Sequence, residues 1–345
     1  MPAVSILIKA LNEERHVADC LAAAVREARS VDGEVILVDS LSTDNTVAIA
    51  RQFPVRIVQF DHLADRGCGA AVQLGFQYAQ GDFVYVLDAD MVLQPGFLCA
   101  ALARLRADAA LGGVGGKVLD TAVRTASDKR RAAAALALTA DRQVAELGGG
   151  GLYRAAAVRA LGYLAHRGLA AYEEAELGAR LHTAGWGLLR LAQVAVVHKG
   201  HAENNWQMMR RLWRNGRAGA GGAVLRAALG KPWFGCLMRK QGFLLAAPAL
   251  HVLAGAAAGG VTLGGGGRAG VLAAVATVWL VALLLLSARK RGLRAGGWTL
   301  LLWHYFALAA VLGFLRPAGD PLALISGHEL PHGAAARAPM EAEAC

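Results

Sequence analysis

Two aspartates with one residue between them, Asp88 and Asp90, close the apolar run Phe83 to Leu87 and are the first pair here whose spacing suggests chemistry. Two hard oxygen ligands at the mouth of a sheet suit a divalent cation and the phosphates it carries. In extended backbone, side chains i and i+2 would point to one side of the chain. Other polar clusters follow apolar runs in the same way: Asn12-Glu13-Glu14 after VSILI, and Asp39 at the end of EVILV. Glu173, Glu174 and Glu176 open the amphipathic stretch Ala171 to Gly185. Those glutamates also have a bland reading, compensation of a helix dipole worth a few tenths of a kcal/mol per charge. His198, in His198-Lys199-Gly200-His201 after another apolar run, becomes a third candidate metal ligand in the company of a D-x-D. Gly148 to Gly151 run straight into Leu152-Tyr153-Arg154. Glycines let backbone approach a ligand closely, so this segment reads as site lining more readily than as a linker.

The elements that would position these residues alternate. Short β-rich runs at 4–8, 34–38, 55–59 and 83–87 read as buried strands, and periodic stretches at 12–29, 46–51 and 69–79 as helices. Alternation at this spacing implies βαβ units and a mostly parallel sheet covered by helices, with ligands beyond the carboxyl ends of its strands. Gly112 to Gly116 reads as a flexible break, 125–147 as a charged, Ala-rich helical segment, and 188–197 as a further strand.

Composition adds a second compartment. The chain is 55% hydrophobic and 18% charged, with mean hydropathy +0.38 and formal net charge +10, a balance that points to a membrane-attached protein. The charge concentrates at 206–240, where Arg210, Arg211, Arg214, Arg217, Arg226, Lys231, Arg239 and Lys240 interleave with Trp206, Trp213, Trp233 and Phe234. Apolar runs of spanning length follow at about 243–263, 270–288 and 298–315. Basic and aromatic residues beside a span suit a membrane interface and argue against nucleic acid as the partner. Arg289, Lys290, Arg291 and Arg294 load the second link, and only Arg268 the first. The positive-inside rule then puts the N-terminal domain and the second link in the cytosol, and the tail outside. No cleavable signal peptide is visible, and the five cysteines, with no C-x-x-C pair, read as reduced thiols.

VSILIKALNEE, VILVDSLSTDNTVAIA, RGCGAAVQLGFQYAQGDFVYVLDADM, GGGLYRAAAV and YEEAELGARLHTAGW, in this order, resemble the family 2 glycosyltransferases of the GT-A fold. The resemblance covers roughly 1–201. It implies an α/β, Rossmann-like domain at 1–203, which the charge and hydropathy pattern extends with an interfacial segment at 204–242, about three transmembrane helices at 243–315 (about 243–263, 270–288 and 298–315) and a low-complexity tail at 316–345. It also implies a nucleotide-sugar donor, a divalent cation (Mg or Mn) and transfer with inversion. Carried over by position, Asp39 resembles the acid that contacts the nucleotide base. Ala10, Leu11, Asn12 and Glu13 would line the same pocket, and Arg66, Gly151 and Arg154 would also face the donor. Asp88, Ala89 and Asp90 resemble the D-x-D that holds cation and diphosphate, with His198 where some members place a metal-binding histidine. Glu173-Glu174-x-Glu176-Leu177 resembles E-D-x-D-L, which puts the catalytic base at Glu174, or at Glu173 because Glu replaces Asp here. Asp-Ser-Leu stands where Asp-Asp-Gly is commoner, and Gln207-x-x-Arg210-Arg211 matches Q-x-x-R-W only in part, so single-sugar transfer is expected.

The chemistry is consistent with that assignment. Inverting transfer needs a carboxylate to deprotonate an acceptor hydroxyl, and positive charge for the departing diphosphate. No G-x-S-x-G, Walker A or zinc spacing competes. The expectation is a membrane enzyme, catalytic domain cytosolic at the inner membrane, that extends a lipid-linked or cell-surface glycan. An enzyme loading polyprenyl phosphate and a non-catalytic scaffold that kept the fold are the alternatives.

Overall fold

The computed structural model describes residues 2–200 and 203–331; His201 and the end of the tail lie outside them. It separates into a sheet unit, Met1–Arg211 with the residues from Ala318, and an apolar unit, Leu212–Pro317.

In the sheet unit, β1 (Val4–Ala10), β2 (Gly33–Asp39), β3 (Arg56–Phe60) and β4 (Phe83–Asp88) are parallel, linked by α1 (Val17–Ser30), α2 (Thr46–Ala50) and α3 (Cys68–Tyr78). Their near-continuous apolar runs match burial on both faces of a parallel sheet. Ile6, Ile8 and Leu37 pack beneath α1, while Leu7, Ile36 and Val38 pack beneath α3. The helix expected from Asn12 begins only at Val17. Asn12 is left-handed (φ 57°), and its side chain accepts from the Thr43 amide at 2.8 Å. The chain is thereby held in the loop after β1.

Next come β5 (Met91–Leu93), α4 (Phe97–Ala107), β6 (Leu111–Asp120), α5 (Ala126–Ala137), β7 (Arg142–Gln143), β8 (Gly151–Arg154), α6 (Ala155–Ala160), α7 (Glu173–Thr183) and β9 (Gly187–His198). The sheet order, starting from β10 (Gly327–Glu329), is β10-β3-β2-β1-β4-β8-β6-β9-β5, with β7 on β9. Two expectations change here. Gly112 to Gly116 is no break but the buried centre of β6. A Cβ at Gly112 would meet Trp186 at 2.9 Å, one at Gly113 would meet Tyr153 at 2.8 Å, and one at Gly116 would meet Phe97 at 2.7 Å. Large neighbours on both faces leave room only for glycine. And helix α5 stops at Ala137, because the residues beyond it are drawn into β7, which pairs with β9, and bury Leu138 and Leu147.

The tail carries more structure than its composition suggested. β10 (Gly327–Glu329) pairs antiparallel with β3, and Ile325 is buried. Cys20, Cys68 and Cys236 are free thiols.

In the apolar unit, α8 (Asn205–Arg214) leads to α9 (Ala220–Ala227), α10 (Phe234–Gln241), α11 (Ala246–Leu263), α12 (Arg268–Lys290) and α13 (Leu293–Leu315). Three helical stretches, Phe234–Leu263, Arg268–Lys290 and Leu293–Leu315, are long and apolar enough to cross a membrane.

Candidate active site

The carboxyl ends of β1, β2 and β4 meet at one edge of the sheet. Asp39 is fully buried at the end of β2, accepting from the Ser42 amide at 3.1 Å and from Gln59 Nε2 at 2.7 Å. The loops after β1 and β2 are stitched together. Asn12 N donates to Ser42 Oγ at 2.9 Å and Glu13 N to Thr46 Oγ1 at 2.8 Å. Arg66 reaches the same edge, donating to the Ser40 carbonyl at 3.3 Å. Ala10, Leu11, Asn12, Glu13, Asp39 and Arg66 therefore lie along one edge.

β4 ends at Asp88, and Ala89-Asp90 form the turn into β5. The backbone is not extended through the D-x-D, so its two carboxylates find different partners. Asp88 Oδ1 lies 3.0 Å from Lys9 Nζ, whereas Asp90 Oδ2 lies 3.2 Å from His198 Nε2. Buried Ala89 donates its amide to the Lys9 carbonyl at 3.1 Å, pinning the turn. His198 Nδ1 is 2.7 Å from Asp120 Oδ1, and Arg131 clamps Asp120 through two nitrogens at 2.9 and 3.0 Å. Burial alone would lower the His198 pKa, but the bonds to Asp90 and Asp120 hold it up at about 9.

Lys9 also sits 2.9 Å from Glu173 Oε1. One ammonium on β1 thus joins the D-x-D to the start of α7. Its burial favours the neutral amine, yet Asp88, Glu173 and Glu174 keep it charged, well above its usual range. The first turn of α7 then separates three glutamates by environment. Buried Glu176 receives Arg180 Nε at 2.9 Å and the Tyr163 hydroxyl at 2.7 Å, while Arg180 also donates to the Tyr163 and Leu164 carbonyls. That is a closed internal network. Glu173 is buried against Lys9. Glu174 is half-buried, and burial together with the Glu173 charge raises its pKa to about 7, against the opposing pull of Lys9. Tyr172, just before the helix, is left-handed at φ 68°, a strained conformation for a bulky residue.

Gly151 pairs with Val86, near the site edge. The glycine run before it is shaped by close packing, since a Cβ on Gly149 would lie 2.6 Å from Met91 Cε. Arg154 is not brought to the site. Antiparallel pairing sets it opposite Phe83, at the other end of β4, where it donates to the carbonyls of Leu105, Asp108 and Leu111.

The donor set suits a cation, though not in the arrangement the sequence suggested. Burial, together with the charges of Asp90 and Asp88, raises the Glu13 pKa to about 7, so negative charge is crowded here. Among the described residues no three His, Cys, Asp or Glu converge to hold an ion unaided. Asp88 and Asp90 supply two carboxylates, and ions such as Mg²⁺ are commonly bound by one or two carboxylates plus substrate phosphates. His198, oriented by Asp120 through its other nitrogen, has the outer-shell support of a ligating imidazole.

Residues 5–153 match the model of glycosyl transferase family 2. This part of the chain belongs to that family. The succinoglycan biosynthesis protein ExoO of Rhizobium meliloti is 34% identical over 116 residues, 32% of this chain and 31% of its own. Dolichol-phosphate mannosyltransferase of Pyrococcus furiosus is 27% identical over 124 residues, 33% and 35%. The chain spans about a third of the length of these curated relatives. A mannosyltransferase from Pyrobaculum calidifontis, solved with GDP-Man and Mn²⁺, superposes with TM-score 0.62 at 20% identity, over 91% of this chain and 87% of its own. The family 2 fold is therefore GT-A, as the motifs implied.

Lys9, Asp120 and Arg131 were missed in the sequence. Asp120 ends a strand just as Asp39 and Asp88 do, but reading Gly112 to Gly116 as a break hid that strand. Lys9 had a usable signal: a lone cation closing the apolar run VSILI.

Proposed function

We propose that the chain is an inverting glycosyltransferase moving one sugar from a nucleotide-sugar donor to a lipid-linked or cell-surface glycan, with its catalytic domain on the cytosolic face of the inner membrane. The observation that carries this reading is Glu174, a half-buried carboxyl poised at about 7 on the helix that Lys9 ties to the D-x-D. A general base works best with its pKa near the working pH. Glu174 takes the proton of the acceptor hydroxyl; Glu173, neutralised by Lys9, holds the helix in place. Asp39, Arg66 and the Asn12-Glu13 loop hold the nucleotide. Asp88 and Asp90, with His198 behind them, would hold a divalent cation, Mg or Mn, which when bound neutralises charge on the departing diphosphate. The Mn²⁺ and GDP-Man in the Pyrobaculum enzyme support a metal and a nucleotide sugar of that kind.

A panel of nucleotide sugars with Mg²⁺ or Mn²⁺, run on wild type beside Glu174→Gln and Asp90→Asn, tests this. Loss of turnover in both, with nucleotide binding kept only in Glu174→Gln, supports the two roles. Full activity in Glu174→Gln moves the base to Glu173, and nucleotide binding without any turnover by wild type favours a scaffold. Likeness to a dolichol-phosphate mannosyltransferase and the basic, Trp-rich 206–240 segment favour one second reading, direct loading of polyprenyl phosphate. Transfer to free polyprenyl phosphate but not to lipid-diphosphate sugars would select it.

A further inference from the structure

Both ends of the apolar unit return to one folded domain. The chain leaves the sheet unit after Arg211 and rejoins it at Ala318. Beyond that point β10 completes the sheet on β3. The return is fastened by side chains as well: Arg56 grips Glu329 at 2.9 Å, and the Gln77 amide both donates to the Ile325 carbonyl and accepts from its amide at 3.0 Å. A bilayer cannot separate a strand from the sheet to which it is hydrogen-bonded. The apolar unit therefore begins and ends on the same side of the membrane, and three crossings would put its ends on opposite sides. The number of crossings is even.

The packing inside the apolar unit shows which helix stays behind. Trp279 of α12 stacks on His304 of α13, ring centroids 5.3 Å apart. Trp279 stands as far from the end of α12 at Lys290 as His304 does from the start of α13 at Leu293, so the two helices form an antiparallel hairpin. By the same count, Arg268 at the start of α12 lies level with Leu315 at the end of α13. Each helix has 23 residues, about 35 Å at 1.5 Å per residue, enough for a hydrocarbon core of about 30 Å. α11 has 18 residues, about 27 Å. Before it, α9 packs on the last turns of α13, where a Cβ on Gly222 would run into the Ala310 carbonyl, whereas His251, in the second turn of α11, reaches Trp279 and His304 midway along the hairpin, with ring centroids 5.1 and 5.3 Å apart. The other end of α11 passes through Gly264 to Gly267 into the start of α12. The chain from α9 to the end of α11 thus reaches the middle of the hairpin and returns to the end from which it rejoins the sheet.

We propose that α12 and α13 cross the membrane as a hairpin and that α11 enters the bilayer without crossing it. The glycine link 264–267 and the tail then share a side with the sheet, and the basic link from Arg289 to Arg294 lies on the other. This reverses the side expected from the charge of that link alone. The excess of positive charge still falls on the sheet side, because Arg210 to Lys240, Arg268 and Arg316 all flank the apolar helices there.

Cysteine labelling of the full chain in sealed vesicles of known orientation tests the proposal without any knowledge of the substrate. In a background with Cys68→Ser, Cys99→Ser, Cys236→Ser and Cys345→Ser, which leaves only buried Cys20, further cysteines are placed one at a time at Leu63 and Leu322, which are exposed on the sheet and on the returning segment. Others are placed at Gly267, where a Cβ meets nothing, and at exposed Lys290. A membrane-impermeant maleimide should reach Leu63→Cys, Leu322→Cys and Gly267→Cys from one face. Lys290→Cys should react only from the other face, or after the bilayer is opened. Labelling of Leu322→Cys or Gly267→Cys from the face opposite Leu63→Cys overturns the proposal, and so does labelling of all four from one face. If Gly267→Cys or Lys290→Cys does not accumulate, Arg268→Cys and Arg291→Cys report on the same two links.

Discussion

The parallel half of the sheet, β3-β2-β1-β4, and the mixed half, β8-β6-β9-β5, deliver their polar residues by different means. In the parallel half each strand is a largely apolar run, and the residue that ends it (Asp39, Asp88) or the loop just after (Asn12, Glu13) becomes the candidate site. In the mixed half the central strand is thinned to glycine so that Trp186, Tyr153 and Phe97 can close on it. Its acid, Asp120, does not face the donor edge alone but steers His198, and the candidate base comes from a helix. The difference matters for mechanism. One half offers carboxylates carried at strand ends and in the loops after them, while the other supplies the candidate base from a helix and a histidine oriented by Asp120. Lys9, bonded to Asp88 on one side and Glu173 on the other, is the joint between them.

The comparison breaks first at Glu174. If the mixed half carries the base, Glu174→Gln lowers kcat by about 10²–10⁴-fold, the usual worth of a general base, with nucleotide affinity unchanged. The sign of the pH dependence follows. A base acts deprotonated, so wild-type kcat should rise as pH climbs through about 7 and fall below it. A profile flat from acid to neutral pH would remove Glu174 from the role. Cutting the joint is the next largest change. Lys9→Met leaves Asp88 and Glu173 facing one another without a cation, at a cost of about 2–3 kcal/mol, discounted from the 3–5 typical of fully buried pairs. The loss is read from the thermal midpoint in detergent. Because Lys9 also holds the Glu174 pKa down, the acidic limb of kcat should move above 7 in this variant. A merely structural lysine would lower the midpoint and leave the limb where it was.

Gly113→Ala sharpens the contrast from the packing side. The added methyl meets Tyr153, Leu147 and Leu188 at 2.8–3.0 Å, and overpacking of this kind costs about 1–3 kcal/mol. The parallel half has no equivalent glycine within β1 to β4 apart from Gly33 at the start of β2, so alanine scanning there should instead register lost volume. An unchanged midpoint in Gly113→Ala would mean that β6 has room after all.

The same contrast explains what was legible in the sequence. Apolar runs ended by polar residues are a direct signal, and β1 to β4 and most of the donor edge followed from them. Glycine has two opposite meanings, freedom in a loop and close approach in a core, and only the identity of the neighbours decides between them. For β6 those neighbours, Phe97, Tyr153 and Trp186, lie far away in the chain, so the strand and Asp120 at its end were invisible. Arg154 misled for a related reason: antiparallel pairing of β8 inverts the end of the sheet at which its last residue lands. Glu176 shows the limit on chemistry. Its spacing from Glu174 cannot reveal that Arg180 and Tyr163 enclose one carboxylate and leave the other to titrate.

The smallest effect belongs to the outer edge of the parallel half, where the tail is fastened. Glu329 takes both Arg56 Nε and Nη2, and Arg56 Nη1 in turn holds Glu34 at 2.8 Å. Arg56 keeps Glu34 as a partner if Glu329 is neutralised, so no buried charge is stranded. Glu329→Gln should therefore cost only about 1 kcal/mol, the upper range for a partly exposed pair, and leave turnover unchanged. The effect should shrink as salt is raised, because the pair is reached by solvent. Arg56→Met removes the shared partner of both glutamates and should cost more than Glu329→Gln, with β10 loosened. If the two variants prove equal, side-chain charge does not hold the strand, and its attachment rests on the backbone pairing of Gly327–Glu329 with β3 alone.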